Sequence, residues 1–282
     1  MKGLAEVPKI RSAVEDVTVV IKTWKRDDCC NRLIKTIRDR YPTQPIVIIN
    51  DGNKTVWEDD NMKTVLFDTD IGVARGRNEG MKAVDTKYAV MCDDDFLFSN
   101  DTNLALWKDI FIENNMDILA GFPKGDSINK DGSLNNMGGL FVPYRDGWTI
   151  DWGKYHAKND DVVFTDLLQQ FLFLDVAVVL EAGGWDERLQ MCEHFPFFLT
   201  MKKKGLVCGY TNKINSGGHD RETKNKDYDR ARYKKQGMCV SKYYKQVYKL
   251  YNTDYPGTQS LSRKTSHPNV KRLRKRRHKR RI

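Results

Sequence analysis

The sequence predicts an α/β fold, a single domain whose central sheet is mostly parallel. Short β-branched or apolar runs alternate with helical patterns through the first half of the chain. Such alternation is typical of parallel strands joined by right-handed helical crossovers. The chain has 282 residues, 40% of them hydrophobic, which is enough for one large core or two small ones. It contains no run of 18 apolar residues, so no membrane-spanning helix is predicted.

The first half opens with a β-branched run, Val17 to Thr23, which predicts a strand. Asp27 or Asp28 is a suitable N-cap for the helix that follows it. The elements predicted next are strands at Ile46 to Ile49 and Val65 to Phe67, a helix at Gly72 to Val84, a strand at Tyr88 to Cys92, a helix at Leu104 to Glu113 and a strand at Met116 to Gly121.

The second half predicts a different mixture of elements. Gly138 to Trp152 has the pattern of a hairpin, with the Asp146-Gly147 pair as its turn. Val162 to Leu174 is rich in strand-forming residues. The elements expected after it are a loop at Gly183-Gly184-Trp185, a short helix at Glu193 to Lys204, a strand at Leu206 to Tyr210 and a helical segment from Lys226 to Tyr251.

The positive charge of the chain is concentrated at its carboxyl end. Arg263 to Ile282 contains eleven Lys or Arg and no acidic residue, which leaves 37 basic and 38 acidic residues in 1–262. Such a segment is typical of a disordered tail, which could bind anionic lipid or nucleic acid, or act as a nuclear address. Because the rest of the chain has no basic excess, nucleic-acid processing is a poor candidate for the main function.

Two features indicate a cytoplasmic protein. The N-terminal extension, residues 1–16, lacks the apolar core of a signal peptide. The six cysteines show no metal-finger spacing, and several lie in apolar runs, as reduced core cysteines do. We therefore expect a reducing compartment, with the basic tail available for peripheral attachment to an anionic membrane surface.

Three consecutive aspartates, Asp93, Asp94 and Asp95, follow the predicted strand that ends at Cys92. Open α/β sheets bind ligands at the carboxyl ends of their strands. Crowded like charges are costly unless a cation neutralises them, and hard carboxylate oxygens suit Mn²⁺ or Mg²⁺ bound to a phosphate. The pattern favours a metal–nucleotide site, with a solvated acidic turn as the alternative.

Two upstream segments carry groups suited to a nucleotide. Asp51 ends the second predicted strand in an Asn-Asp-Gly sequence and could accept a hydrogen bond from a nucleobase imide. The run from Gly72 to Gly80 brings Arg75 and Arg77 into a helix start, where phosphate is favoured. It lacks the Gly-Lys-Ser/Thr ending of a phosphate-binding loop. Taken singly, each segment also fits a common turn or a solvated helix start.

The second half contributes an aromatic residue, an acid and two histidines. Trp185, in a glycine-rich loop, could form a platform for a sugar. Glu193, which His194 follows, could act as a general base, or could interact with the dipole at a helix start. His219 lies in another glycine-rich loop, where it could bind a metal through its imidazole or be solvated.

In this order the residues resemble a known family. Asp51, Arg77, the aspartate triplet, Glu193-His194 and His219 follow the order of inverting glycosyltransferases of the GT-A fold. The triplet is similar to their DxD motif, and Glu193-His194 to a variant of their Glu-Asp motif. The resemblance is to the β-1,4-N-acetylgalactosaminyltransferases that make gangliosides of the GM2/GD2 type. The stretches that carry it extend from about Val17 to His219 and are VTVVIKTWKRDDC, GRNEGMKAVDTKYAVMCDDDFLF, and Thr165-Asp166 through WDERL to FPFFL.

The resemblance implies a GT-A (Rossmann-like) fold and metal-dependent, inverting transfer of GalNAc, GlcNAc or another hexose. The donor would be a UDP-sugar and the acceptor a glycan or glycolipid hydroxyl. The order of elements predicts a nucleotide-sugar-binding half at 17–125 and an acceptor-binding half with a C-terminal helix at 126–262, and composition predicts the basic tail at 263–282. The implied substrate-binding set is Thr23, Asp51, Arg77, Asp93, Asp94 and Trp185; the Mn²⁺ or Mg²⁺ set is Asp93, Asp95 and His219; the catalytic pair is Glu193 and His194.

Some features depart from the family pattern. Pro196 stands where the family has an acid after the histidine, so the base is Glu193 or a neighbour. The family's membrane anchor and lumenal stem are not recognised in this sequence. Two other functions stay open: a sugar nucleotidyltransferase, which would release pyrophosphate rather than UDP, and a non-catalytic protein that binds anionic surfaces through the basic tail.

Overall fold

The computed structural model describes residues 9–123, 138–219, 228 and 243–251. The described strands are β1 (Val17–Thr23), β2 (Ile46–Asn50), β3 (Met62–Leu66), β4 (Tyr88–Asp93), β5 (Phe96–Phe98), β6 (Ile118–Pro123), β7 (Gly139–Tyr144), β8 (Gly147–Trp152), β9 (Ala157–Lys158), β10 (Val163–Phe164), β11 (Leu172–Asp175) and β12 (Cys208–His219). The helices are α1 (Asp27–Arg38), α2 (Val73–Lys82), α3 (Leu104–Glu113), α4 (Val176–Glu181) and α5 (His194–Lys203), and Tyr244–Tyr248 form a π-helical turn.

One large mixed sheet organises the described residues, in the order β3-β2-β1-β4-β11-β6-β12-β10-β9, with β5 paired to β12. The predicted parallel pairing is confirmed for β1 with β2, β1 with β4, and β2 with β3. β11 runs antiparallel between β4 and β6, which the sequence pattern did not predict. The hairpin β7–β8 forms a second, two-stranded sheet.

The strand order indicates where a ligand would bind. The chain leaves β1 toward β2 on one side and returns to β4 on the other, so the carboxyl end of β1 is a topological switch point, where α/β sheets bind ligands. The register aligns Thr23 with Asn50 and Lys22 with Asp93. The last residues of β1, β2 and β4 therefore meet at one edge of the sheet.

Apolar side chains cover both faces of the sheet because successive residues of a strand point to opposite sides. On one face, Ile21 packs in a cluster with Leu33 of α1 and Trp107 of α3. On the other, Val20 packs in a cluster that includes Met81 of α2 and Phe198 of α5. The sheet is thus a central layer between helices, which holds the strand ends in place.

Glycines at four-residue spacing let α2 approach β1 closely. A Cβ at Gly76 would collide with the alkyl chain of Lys22, and one at Gly80 would collide with Val20. The sequence pattern predicted a phosphate contact for the arginines of this run and no role for these two glycines. In the structure they lie inside α2 and allow its backbone to pack closely against β1. This packing brings Arg77 to the carboxyl ends of the strands.

Several local predictions need correction. The N-cap of α1 is Arg26, and Asp27 instead accepts hydrogen bonds from Asn53 and Thr55, at 2.7 and 2.6 Å. The hairpin turn lies between Tyr144 and Gly147, one residue earlier than predicted. Strand β5, strand β9 and helix α4 were not predicted. Most of the segment predicted to be helical from Lys226 lies outside the described residues, as does the basic tail.

Among the described helices, none has the length and apolar character needed to cross a membrane.

Candidate active site

The aspartate triplet is held by a buried arginine. Asp93 ends β4, and Asp94 and Asp95 form the turn into β5. The guanidinium of Arg26 forms ion pairs with Asp94 and, at 3.0 Å, with Asp95. Thr23 donates a 2.8 Å hydrogen bond to Asp94. Burial raises the pKa of Asp94, although Arg26 and Thr23 oppose the shift. Asp94 is therefore a buried anchor that joins β1 to the triplet.

A second buried arginine joins the triplet to the start of α5. Arg77, 2% exposed, donates to Asp93 at 2.6 Å and also to Glu193. Burial alone would lower the pKa of Arg77, but Glu193 and Asp93 raise it, so the guanidinium stays charged. The side chain of Asp93 is 40% exposed, which leaves it accessible beside a fixed positive charge. One residue thus connects acids that are 100 positions apart in the sequence.

Asp51 is paired rather than free. Its carboxylate forms an ion pair with Lys22 and accepts a 2.9 Å hydrogen bond from the backbone N–H of Ile71. The side chain is 0% exposed, and burial raises its pKa in spite of Lys22. A nucleobase could hydrogen-bond to this carboxylate only after these contacts rearrange. The predicted contact with uracil stays a prediction.

His194 is fixed through its ring. Nδ1 is hydrogen-bonded to the side-chain amide of Gln170, and the ring also hydrogen-bonds to the backbone of Leu168. Burial, followed by the charge of Arg77, lowers the pKa of His194 to about 3. A neutral imidazole with both of these contacts orients the first turn of α5 and is poorly suited to accept a proton.

We expect acid to destabilise the protein through His194. The pKa of His194 is lower in the folded protein than the value of about 6.5 in the unfolded chain. The unfolded chain therefore binds a proton first as pH falls below 6.5, and the free energy of unfolding decreases there. Between pH 6.5 and 5 the loss should be roughly 1 kcal/mol, less than full linkage gives because the side chain is partly exposed. Urea unfolding of wild type and His194→Gln at both pH values would measure this. An equal acid loss in the two proteins would contradict the prediction.

Trp185 lies in the core and not on a loop surface. Its ring is 1% exposed and stacks on Phe197 of α5, with centroids 4.1 Å apart. The structure therefore corrects the prediction of a sugar platform, since an enclosed ring offers no face to a ligand. Asn78 holds this loop by exchanging two hydrogen bonds with the Trp185 backbone, at 2.8 and 2.9 Å. A Cβ at Gly184 would collide with Asn78, so glycine is needed at this close approach.

Strand pairing brings the backbone of His219 close to the aspartate triplet. Its backbone ends β12 and pairs with Phe96 of β5, the residue that follows Asp95. The side chain of His219 is outside what the structure describes, so its role as a metal ligand stays a prediction. The backbone pairing nevertheless brings this late residue to the same edge of the sheet as the aspartates.

The chain has known relatives in sequence and in structure. No family model matches the chain. In sequence it is similar to β-1,4 N-acetylgalactosaminyltransferase 2 of Mus musculus, 27% identical over 196 residues, which are 68% of this chain and 36% of that protein. It is also similar to β-1,4 N-acetylgalactosaminyltransferase 1 of Rattus norvegicus, 29% identical over 65% of this chain and 35% of that protein. The chain thus spans about a third of the length of these curated relatives.

Solved structures match the fold. S. aureus TarS 1-349 in complex with UDP-GlcNAc matches with a TM-score of 0.53 and 14% identity, over 74% of this chain and 60% of that chain. GalNAc-T7 with UDP, GalNAc and Mn²⁺ matches with a TM-score of 0.56 and 14% identity, over 74% of this chain and 44% of that chain. The chain has the GT-A fold of glycosyltransferases. In sequence it resembles the β-1,4-N-acetylgalactosaminyltransferases.

Several residues that contact the site were not predicted from the sequence. Lys22, Arg26, Asn78 and Gln170 each contact a predicted site residue, yet none was singled out. A signal existed for the first two, because three basic residues follow closely on one another at the end of β1. Parallel pairing of β1 with β4 places these cations beside the aspartates. Asn78 and Gln170 had no comparable signal.

Proposed function

We propose that this protein is a metal-dependent inverting glycosyltransferase that moves a sugar from a UDP-sugar to a glycan or glycolipid hydroxyl. The observation that carries the proposal is the bridge made by Arg77 between Asp93 of the triplet and Glu193 of α5. A donor-side acid and a candidate acceptor base are thereby held at one edge of the sheet. The resemblance to N-acetylgalactosaminyltransferases supports GalNAc, and the TarS complex supports GlcNAc, as the donor sugars to test first.

The acids of the site are suited to a divalent cation. Four carboxylates face two guanidinium groups, and this excess of negative charge favours a bound cation; the acids are Asp93, Asp94, Asp95 and Glu193. Within the described residues, no three His, Cys, Asp or Glu side chains form a complete metal-binding group. Mg²⁺ characteristically takes one or two carboxylates and completes its shell with substrate phosphates and water, and Mn²⁺ shares its preference for oxygen. Asp93 and Asp95 would supply those carboxylates, and the ion would neutralise charge on the departing UDP.

The chain's own residues would carry out the rest of the reaction. Glu193 would take the proton of the acceptor hydroxyl as that oxygen attacks the anomeric carbon. Arg77 would hold the Glu193 carboxylate in place, and the Asp94 anchor would fix the triplet. The bond from the anomeric carbon to the UDP oxygen breaks as the new bond forms on the opposite face. A single displacement inverts the centre, so an α-linked donor would give a β-linked product.

A product assay tests the function. We would screen UDP-sugars with Mn²⁺ by thermal shift, since a ligand that binds the native state raises apparent stability. The stabilising donor is then incubated with a panel of glycan and glycolipid acceptors, and the released nucleotide is identified. Release of UDP with a β-linked product supports the proposal. Release of pyrophosphate from a nucleoside triphosphate and a sugar phosphate would instead show a nucleotidyltransferase.

Metal dependence is tested by Asp95→Asn. We expect this change to lower UDP release by at least 100-fold, because one carboxylate ligand loses its charge. Excess EDTA should have the same effect on wild type, and added Mn²⁺ should restore the rate. Asp109→Asn, at an exposed position of α3, is the control and should keep the wild-type rate. Full activity in EDTA would contradict the metal role.

A deletion tests whether the basic tail is needed for sugar transfer or for membrane binding. Deleting residues 263–282 should leave transfer to a soluble acceptor unchanged if the described residues carry the chemistry. Loss of binding to anionic vesicles, with unchanged transfer, would assign membrane attachment to the tail. If the intact protein binds vesicles and transfers no sugar from any donor, the non-catalytic alternative is favoured.

A further inference from the structure

The C-terminal strap, Tyr243–Tyr251, packs against the hairpin β7–β8. Trp148 donates its backbone N–H to the carbonyl of Lys249, and Tyr251 returns a backbone hydrogen bond to Trp148, both at 2.8 Å. Leu250 is 1% exposed and belongs to the same apolar cluster as α5. A Cβ at Gly147 would collide with the Lys249 carbonyl, so the glycine allows the strap to approach the hairpin. The strap is therefore packed into the fold.

Tyrosines tie the strap to the loop that precedes Glu193. Asp186 accepts hydrogen bonds from the hydroxyls of Tyr243 and Tyr248, at 2.7 and 2.6 Å. The same carboxylate accepts from Arg188, at 2.8 and 2.9 Å. These contacts stabilise the ionised form and hold the pKa of Asp186 well below its usual range, although burial opposes the shift. One acid thus anchors the strap to the loop.

Tyr244 contacts one residue on each side of Glu193 in the chain, Cys192 and Phe195. Its hydroxyl donates to the backbone carbonyl of Cys192, and its ring lies edge-on to Phe195, with centroids 6.2 Å apart. Cys192 has a φ of 63°, a left-handed conformation that is uncommon for a residue other than glycine. Such a backbone conformation persists when surrounding contacts hold it, and the Tyr244 hydroxyl is one such contact. Tyr244 itself is 4% exposed.

We propose that the strap positions Glu193 for deprotonation of the acceptor, with Tyr244 as the positioning residue. The hydroxyl fixes the Cys192 turn, and the ring fixes the first turn of α5 on the other side of Glu193. Arg77 then meets the carboxylate in a single orientation. The inference rests on the proposed function, since it assigns a role in the same reaction. The loop before α5 and the hairpin both contact the strap, so they would support the same positioning of Glu193.

Tyr244→Phe tests the proposal because it removes only the hydroxyl. We expect kcat for UDP release to fall about tenfold, with the KM for the UDP-sugar within twofold of wild type, since the donor-side residues are unchanged. Tyr251→Phe is the matched control. It removes a hydroxyl of the same strap that donates to the exposed Asp146 at 2.6 Å, and it should keep the wild-type kcat.

A double variant separates positioning from general structural support. If Tyr244 acts through Glu193, adding Tyr244→Phe to Glu193→Gln should lower kcat by less than twofold beyond Glu193→Gln alone. A further tenfold loss in the double variant would overturn the proposal, as would a wild-type kcat in Tyr244→Phe. A wild-type protein that releases no UDP from any UDP-sugar would refute the proposed function itself. The two failures are therefore distinguishable.

Discussion

Glu193→Gln is expected to lower kcat for sugar transfer by about 10² to 10⁴-fold, the usual contribution of a general base. Glutamine keeps the size of the side chain and can still hydrogen-bond to Arg77, but it cannot take the acceptor proton. Because the substitution leaves Asp93 and the other predicted donor-binding residues unchanged, binding of the UDP-sugar should change little. Steady-state kinetics of transfer and a thermal-shift titration of the donor would measure the two effects.

Glu187→Gln is the matched control. Glu187 lies in the loop before α5, accepts a 3.0 Å hydrogen bond from Asn78, and has a 42% exposed side chain. The amide oxygen of glutamine can accept the same bond, so we expect wild-type transfer. A Glu193→Gln enzyme with full activity would show that the base lies elsewhere, and a neighbouring residue is the alternative that Pro196 left open.

Among the substitutions proposed here, Arg77→Ala should cause the largest loss of folding stability. It leaves Glu193 without its buried cation and Asp93 without its partner on α2. Removing one member of a buried ion pair typically costs about 3 to 5 kcal/mol, because the remaining charge is desolvated and unpaired. The free energy of unfolding, measured in urea at pH 7.5, should fall by an amount of this order. Transfer should also fall in the fraction that stays folded, since Glu193 is no longer held.

Arg75→Ala on the same helix provides the comparison. Arg75 is exposed, and its guanidinium lies over the ring of Phe67, 5.9 Å from the centroid. Exposed substitutions of this kind usually change stability by less than about 0.5 kcal/mol. If Arg77→Ala cost no more than Arg75→Ala, the bridge between the triplet and α5 would not be a stabilising element of the fold.

The sequence alone predicted most of the parallel half. The bounds of β1 and α3 were predicted to the residue, and β2, β4 and α2 to within two residues at each end. These elements have strong local patterns, because each buries one face or both in the core. The antiparallel insertion of β11, the short β5 and the helix α4 carry weaker patterns. Their placement depends on which strand edge is free, and strand pairing between distant segments is a tertiary choice.

Residue types and order determined the chemistry that this protein can be expected to perform. Three carboxylates after a strand, an arginine on a preceding helix and an acid at a later helix start were all recognisable in the printed sequence. The resemblance to GT-A transferases followed from that order, and the comparisons confirm the fold. Which of these groups face one another, and which are buried, did not follow from it.

Only the tertiary structure decided which side chains contact one another and which are buried. Asp94 is an anchor for Arg26, Arg77 bridges Asp93 and Glu193, and the ring of Trp185 lies in the core. The physical reason is that a charge or a ring takes its role from its surroundings. Burial and neighbouring charges come from segments far apart in the chain, so local patterns carry no information about them.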